Sequence, residues 1–171
     1  MIAPNLRFGH ALASGRIGQT IGGQTAMHAE SSATTSWQGT LADGSGMTSL
    51  ASGAAGPLSV SWSNRAERTD GNTSPEELIA AAHASCFAMA FSHELAEAGA
   101  TPEHLDVSAT VTFEIVGGAP TVSRSALTVR GSAGGIDAAG FVRVAEAAKA
   151  GCPVSRALQG NVEITLDAAL S

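Results

Sequence analysis

Hydrophobic residues fill almost every position from Leu78 to Phe91, and only His83, Ser85 and Cys86 carry polar or ionisable atoms there. The apolar positions therefore surround the helix axis instead of forming one stripe, a pattern typical of a helix buried in the centre of a domain. A membrane span needs about 20 apolar residues, and glutamates bracket a shorter run here. The pattern predicts a core helix.

Both ends of this helix carry boundary signals. Ser74 and Glu77 form a capping box, and Pro75 occupies the first helical position, where its missing N–H costs nothing. Gly99 suits the C-terminal cap, and Pro102 blocks continuation of the helix. We therefore predict one long helix that starts at Pro75 and ends near Gly99.

Alternating apolar and polar positions before and after the helix predict strands. We expect a meander before the helix, a hairpin after it, and then two helices and a last strand. The predicted elements are a meander over residues 34–62, a polar loop over 63–74, hairpin strands over 105–117 and 121–133, helices over 137–149 and up to Leu158, and a strand over 161–168.

This order of elements is typical of an α+β domain with a mainly antiparallel sheet around the long central helix. One small sheet covers only one side of that helix, whereas the helix is apolar on every side. We therefore expect a second copy of the chain to cover the other side, which makes the protein an obligate homodimer.

Composition limits the partners and the compartment. The 171 residues suffice for one domain with a sizeable core. Nine Lys and Arg against 15 Asp and Glu give a net charge of -6, which argues against nucleic acid as a partner. Two cysteines are too few for a disulfide scaffold, and no secretory apolar segment is present, so we expect a cytoplasmic protein.

Residues 1–33 differ in character from the rest of the chain. The first 27 are Gly-rich and poorly periodic, with two Arg and no acidic residue. We predict an N-terminal extension that is either poorly ordered or an upstream start before Met27, and we assign it no chemistry. The domain itself is expected to cover residues 34–171.

Cys86 is the first candidate for chemistry, although a thiol in an apolar helix normally has a raised pKa and acts as a small core residue. Reactivity requires a nearby cation, and the candidates are Arg65, Arg68 and His83. His83 lies on the same helix face, which permits a Cys/His acyl-transfer pair, but no orienting Asn or Asp is identifiable. A packing histidine is the simpler interpretation. The wide separation of the two cysteines argues against a zinc site.

Two segments carry a more specific signal, PEELIAAAHASCFAMA around Cys86 and AGCPVSRAL around Cys152. The Pro-Glu-Glu helix start, the AAHA-x-CF helix, the second cysteine in CPVS and an arginine before the helix resemble the OsmC/Ohr family of thiol-dependent hydroperoxide reductases. The resemblance extends over residues 34–170, and AAHA and CPVS are similar to the OsmC branch.

The resemblance implies an OsmC-like fold and an intertwined homodimer with active sites at the interface. It implies that Cys86 is the peroxidatic cysteine, Cys152 the resolving cysteine, Glu76 the carboxylate and Arg65 the guanidinium of the site, with Arg68 as the rival arginine. The implied activity is reduction of organic hydroperoxides, and less well of hydrogen peroxide, to alcohols in stress defence. The implied cycle passes through a Cys86 sulfenic acid and a Cys86–Cys152 disulfide, which a dithiol resets; one candidate is a lipoylated protein. The implied cycle needs no metal or flavin.

Helix geometry limits how these residues can meet. Glu76 and Cys86 are separated by about 15 Å along a straight helix, at 1.5 Å per residue. Either the helix breaks near Ala81, or Glu76 and Arg65 reach Cys86 from the other subunit, and we favour the second.

Two further expectations concern the substrate. Apolar helix residues such as Phe87 and Met89 are expected to wall the site and to favour organic hydroperoxides. In the rival, non-enzymatic hypothesis, the same fold binds an apolar ligand between subunits, and neither cysteine has a catalytic role.

Overall fold

The computed structural model describes residues 28–67 and 71–171, together with the backbone of residues 20–21 and 24–25. The predicted N-terminal extension therefore lies largely outside the described residues, as does Arg68. In the described part of the chain the elements are β1 (Thr20–Ile21), β2 (Gln24–Thr25), β3 (Ala33–Gln38), β4 (Ser45–Leu50), β5 (Leu58–Ser61), α1 (Trp62–Glu67), α2 (Pro75–Glu97), β6 (Thr101–Val116), β7 (Ala119–Gly134), α3 (Ala138–Gly151), α4 (Pro153–Leu158) and β8 (Glu163–Leu170).

Helix α2 is continuous over 23 residues, about 35 Å at 1.5 Å per residue. The Glu77 N–H donates to Ser74 Oγ at 3.1 Å, as the capping box predicts. After the helix Gly99 adopts a φ of 79°, which an L side chain rarely tolerates. Both predicted ends are confirmed. The alternative of a break near Ala81 is wrong, because the helix runs through that position.

The main sheet has the strand order β6-β7-β8. Strands β6 and β7 form the predicted antiparallel hairpin around Gly117 and Gly118, both with positive φ. Strand β8 pairs parallel with β7, because α3 and α4 form the crossover that returns the chain in the same direction. The expectation of a mainly antiparallel sheet is confirmed, with one parallel pair at its edge.

The hydrophobic core lies where α2 and α3 pack on this sheet. Phe87 and Phe91 of α2 are fully buried, and the rings of Phe91 and Phe141 meet edge to face at 4.8 Å between centroids. Leu127 and Val129 contribute from β7. The expectation that Phe87 walls an accessible site is therefore wrong, because its side chain faces this core.

Two surfaces of the single chain expose apolar side chains. On α2 the face opposite the core is open, and Met89 is 69% exposed there. In the N-terminal sheet, of order β3-β4-β5, every residue of β3 is exposed, with Trp37 at 42%. Leu41, in the turn between β3 and β4, is 63% exposed. The central helix is thus buried along one face only within one chain. None of the described helices has a segment both long and apolar enough to cross a lipid bilayer.

The polar loop predicted over residues 63–74 is wrong in its first part, which forms α1. The Asn64 N–H donates to Ser61 Oγ at 3.2 Å, which caps this helix. A helix of six residues is too short to show a hydrophobic period, so the sequence pattern could not reveal it.

Candidate active site

The two thiols meet at the N-terminus of α4. Cys86, half-buried on α2, and Cys152, fully buried between α3 and α4, are both free, and their sulfur atoms lie 3.2 Å apart. Pro153 follows at the first position of α4, where a proline is tolerated. Residues 66 positions apart in sequence are therefore within reach of one disulfide after a small movement.

The surroundings of the two sulfurs differ in their effect on ionisation. Burial raises the pKa of Cys86, only partly offset by the Val154 backbone N–H. Burial also acts to raise the pKa of Cys152, but hydrogen bonds from the Ser155 N–H, from Cys86, from the Ser155 hydroxyl and from the Val154 N–H outweigh it and lower that pKa. Among the described residues of one chain, the peptide N–H groups at the start of α4 thus favour a Cys152 thiolate, whereas Cys86 has only the Val154 N–H.

A second polar cluster lies at the N-terminal end of α2. Arg65 of α1 donates from Nε and Nη2 to Glu76 Oε1, at 2.9 and 2.7 Å, and the carboxylate is 1% exposed. The guanidinium also lies 4.1 Å above the Phe113 ring, which Trp62 contacts edge-on. Glu76 Oε2 is buried without a hydrogen-bond partner in the described structure.

The structure brings the four predicted site residues together as two separate pairs. Cys86 meets Cys152, and Arg65 meets Glu76. Because α2 is unbroken, Glu76 and Cys86 stay about 15 Å apart along its axis. No hydrogen bond or ion pair links the two pairs within the described ranges. The rival arginine, Arg68, lies outside them.

His83 is a buried packing histidine, as its simpler interpretation predicts. Its Nδ1 lies 2.7 Å from Ser125 Oγ and its Nε2 lies 2.8 Å from Ser155 Oγ, with all three side chains buried. The Cys/His acyl-transfer reading loses support, because both ring nitrogens are engaged by hydroxyls. The sequence analysis did not identify these serines, since their contacts with His83 span 42 and 72 residues. The one available sequence signal was the position of Ser155 in the CPVS segment.

A cavity of about 360 Å³ adjoins Arg65 and is lined mostly by apolar groups. Its walls come from the N-terminal sheet, from α1 and from the start of α2, including Trp37, Leu41, Trp62 and Leu78. The apolar surroundings expected from α2 residues near Cys86 are thus found beside the arginine instead. The described residues contain no cluster of three or more His, Cys, Asp or Glu side chains that could hold a metal ion.

Comparison with known proteins decides the family. Residues 68–167 match the family model described as OsmC-like protein. The chain is also 43% identical to peroxiredoxin OsmC of Escherichia coli K12 over 131 residues, which cover 77% of this chain and 90% of that protein. The chain belongs to the OsmC family. The predicted resemblance is confirmed, and with it the class of peroxidase-type oxidoreductase.

Solved structures show that the fold of this OsmC-family protein is shared. An organic hydroperoxide resistance protein from Elizabethkingia anophelis superposes with a TM-score of 0.69 at 22% identity, over 85% of this chain and 99% of that one. The organic hydroperoxide resistance protein OhrB of Bacillus subtilis gives 0.62 at 24% identity, over 80% and 97%. The predicted OsmC-like α+β fold is thereby confirmed.

Proposed function

We propose that this protein is a cysteine peroxidase that reduces organic hydroperoxides to alcohols, with Cys86 as the attacking and Cys152 as the resolving cysteine. The observation that carries the proposal is the 3.2 Å approach of two free thiols that differ in exposure. Cys86 is partly accessible, whereas Cys152 is fully buried. A peroxide from solvent can therefore reach the first sulfur and not the second.

The reaction has three steps. The Cys86 thiolate attacks the distal oxygen of the hydroperoxide, the O–O bond breaks, and the alkoxide leaves and takes up a proton to become the alcohol. The Cys152 thiolate then attacks the Cys86 sulfenic sulfur, which forms the disulfide and releases hydroxide. An external dithiol reduces the disulfide in two exchange steps and becomes a disulfide itself.

Cys86 requires a cation, and no described residue of its own chain brings one to it. Burial raises the pKa of the Cys86 thiol, so attack at neutral pH depends on stabilisation of the thiolate. Arg65 uses Nε and Nη2 for Glu76, and no described residue engages its Nη1 donors, which can bond a sulfur or a peroxide oxygen. Glu76 holds the guanidinium in place.

A homodimer joins the two pairs across its interface. A two-fold axis that brings Glu76 of the partner subunit beside Cys86 crosses α2 halfway between these positions, near Ala81. Ala81, Ala82 and Ser85 are exposed there, and their small size allows two helices to approach closely. The same arrangement covers the exposed Met89 face of α2, which supports the dimer independently of the chemistry.

The mainly apolar cavity beside Arg65 favours hydroperoxides with a hydrocarbon substituent over hydrogen peroxide. Two of the structural relatives described above are organic hydroperoxide resistance proteins, which agrees with this choice. The dithiol reductant and the cytoplasmic location remain predictions from the sequence.

Mass spectrometry of the protein treated with cumene hydroperoxide tests the proposal. We expect a Cys86–Cys152 disulfide to form together with an equal amount of cumyl alcohol, and Cys86→Ser to abolish both. Hydrogen peroxide at the same concentration should act more slowly. Peroxide consumption by Cys86→Ser at the wild-type rate would exclude Cys86 as the nucleophile. If the wild type released no burst of cumyl alcohol, the hypothesis of non-enzymatic ligand binding would be favoured.

A further inference from the structure

Arg65 and Glu76 are joined through one carboxylate oxygen only. Both Nε and Nη2 of the guanidinium donate to Oε1, at 2.9 and 2.7 Å, and Oε2 has no hydrogen-bond partner in the described structure. Two parallel bonds to two oxygens would hold the guanidinium and the carboxylate in one plane. Two bonds that converge on one oxygen fix an edge of the guanidinium but leave its plane less restricted. The direction of the Nη1 donors therefore needs a second restraint.

The ring of Phe113 supplies a restraint from the face of the guanidinium. Arg65 Cζ lies 4.1 Å from the centre of the ring, within the distance of about 6 Å at which the negative ring face attracts a cation. The Arg65 side chain is 29% exposed, so the contact is partly shielded from water. The carboxylate thus holds one edge of the guanidinium, and the ring holds one face.

The hairpin places Phe113 next to α1 because it extends beyond the third strand of the sheet. Strand β8 pairs with residues 124–131 of β7, whereas Phe113 pairs with Val122, past the end of that pairing. Alternation along β6 puts Phe113 on the same face as the buried Val111. The extension therefore continues the core-facing side of the sheet as far as Arg65.

A second contact joins the Phe113 ring to α1. Trp62 begins this helix three residues before Arg65, so both side chains lie on the same helix face. The rings of Trp62 and Phe113 are nearly perpendicular, with 6.1 Å between their centroids, an arrangement that aromatic pairs prefer. A helix of six residues is not stable by itself. Phe113 therefore anchors α1 at two points, one of which is the guanidinium.

We propose that Phe113 is a positioning residue for peroxide reduction, whose ring fixes the plane of the Arg65 guanidinium and so the direction of its Nη1 donors. The inference rests on the proposed function. As the Cys86 sulfur bonds the distal oxygen, the O–O bond breaks and its electron pair goes to the alkoxide, which takes up a proton from solvent. Donors already aimed at the oxygens where charge develops stabilise this step without reorganisation. Phe113 acts through Arg65 and not on the reacting atoms.

The first experiment measures the rate of cumyl alcohol release in a single turnover with cumene hydroperoxide. Phe113→Leu keeps an apolar side chain but removes the ring, and should slow the release about tenfold. Phe113→Tyr keeps a ring face and should retain most of the wild-type rate. Ile115→Ala is the matched control on the same strand, at a position that is 62% exposed, and should leave the rate unchanged. Circular dichroism confirms that each variant is folded.

A series of fluorinated phenylalanines at position 113 separates the attraction for the cation from packing. Each fluorine withdraws electron density from the ring face and changes the size of the side chain little, so the logarithm of the rate should fall as fluorines are added. The disulfide-forming step, followed in the same turnover, should stay at the wild-type rate, because attack by Cys152 does not use the guanidinium in the proposed reaction. A ring needed only for packing would respond to neither comparison.

A nuclear magnetic resonance measurement tests the contact without peroxide. The Arg65 Nε–H signal, assigned by its loss in Arg65→Lys, lies beside the ring face and is shifted by the ring current. Phe113→Leu should remove that shift, whereas Ile115→Ala should preserve it. An unchanged signal in folded Phe113→Leu would contradict the inference.

Two kinetic results would also overturn it: alcohol release at the wild-type rate in folded Phe113→Leu, or a rate that does not depend on fluorination. If Phe113→Leu does not fold, the fluorinated series decides the question, because it keeps the ring. Failure of the wild type to release any cumyl alcohol would refute the proposed function instead. The Arg65 signal would then still show whether Phe113 holds the guanidinium.

Discussion

A mixed dimer of two inactive variants tests whether each active site draws on both chains. One chain carries Cys86→Ser and the other Arg65→Ala, and each has its own affinity tag. Glu76 and Cys86 of one chain are about 15 Å apart along an unbroken helix, so Arg65, which is bonded to Glu76, should serve the Cys86 of the partner. A mixed dimer then has one site with both functional residues and one site with neither.

The expected activity follows from the symmetry of the dimer. A purified mixed dimer should show about half of the wild-type rate, because one of its two sites is complete. Random assembly from equal amounts of both chains gives about half mixed dimers, and therefore about one quarter of the wild-type rate. If Arg65 served the Cys86 of its own chain, both sites would carry one defect and the activity would stay at the level of the parents.

The assay is steady-state consumption of cumene hydroperoxide with excess dithiol, after co-expression and purification through both tags. The reciprocal control pairs a wild-type chain with a chain that carries both substitutions. It should be nearly inactive, because each site then lacks either the thiol or the guanidinium. The reverse result, an inactive pair of single variants and a half-active control, would refute the argument from helix length.

Three further predictions follow from the same geometry. Cys152→Ser should consume about one equivalent of hydroperoxide per chain and then stop if no outside thiol is present; an unchanged steady state with a dithiol would remove Cys152 from the essential residues. Met89→Glu places a charge on the exposed apolar face of α2 and should shift the protein to monomers in sedimentation. The control Val142→Glu, at an exposed position of α3, should not change the oligomeric state. Equal behaviour of the two variants would contradict the assignment of the α2 face to the interface. Burial lowers the pKa of His83 in the folded chain, so as the pH falls below about 6.5 the unfolded chain takes up a proton at His83 before the folded chain does. The free energy of unfolding should therefore decrease below that pH. Urea unfolding at pH 5 and 7.5 should show a smaller decrease for His83→Gln, and an equal decrease would show that other groups cause it.

Local signals were enough for most of the secondary structure. The capping box at Ser74, the glycine at position 99 and the alternation of the hairpin strands depend on neighbouring residues, and the structure confirms all three. The short helix α1 was missed, because its stability depends on one serine cap and on packing. The parallel pairing of β8 was also not predicted, since strand direction is set by the path of α3 and α4.

The sequence by itself determined the fold class, the family and the four candidate site residues, because each rests on a local pattern or a short motif. Only the tertiary structure decided how these residues are grouped: Cys86 with Cys152, and Arg65 with Glu76. It also decided that Phe87 belongs to the core and that His83 bonds two distant serines. The reason is physical, since the contacts of Cys86 with Cys152 and of His83 with its two serines join residues 42 to 72 positions apart and depend on how helices and strands pack. No local pattern in the chain encodes that packing.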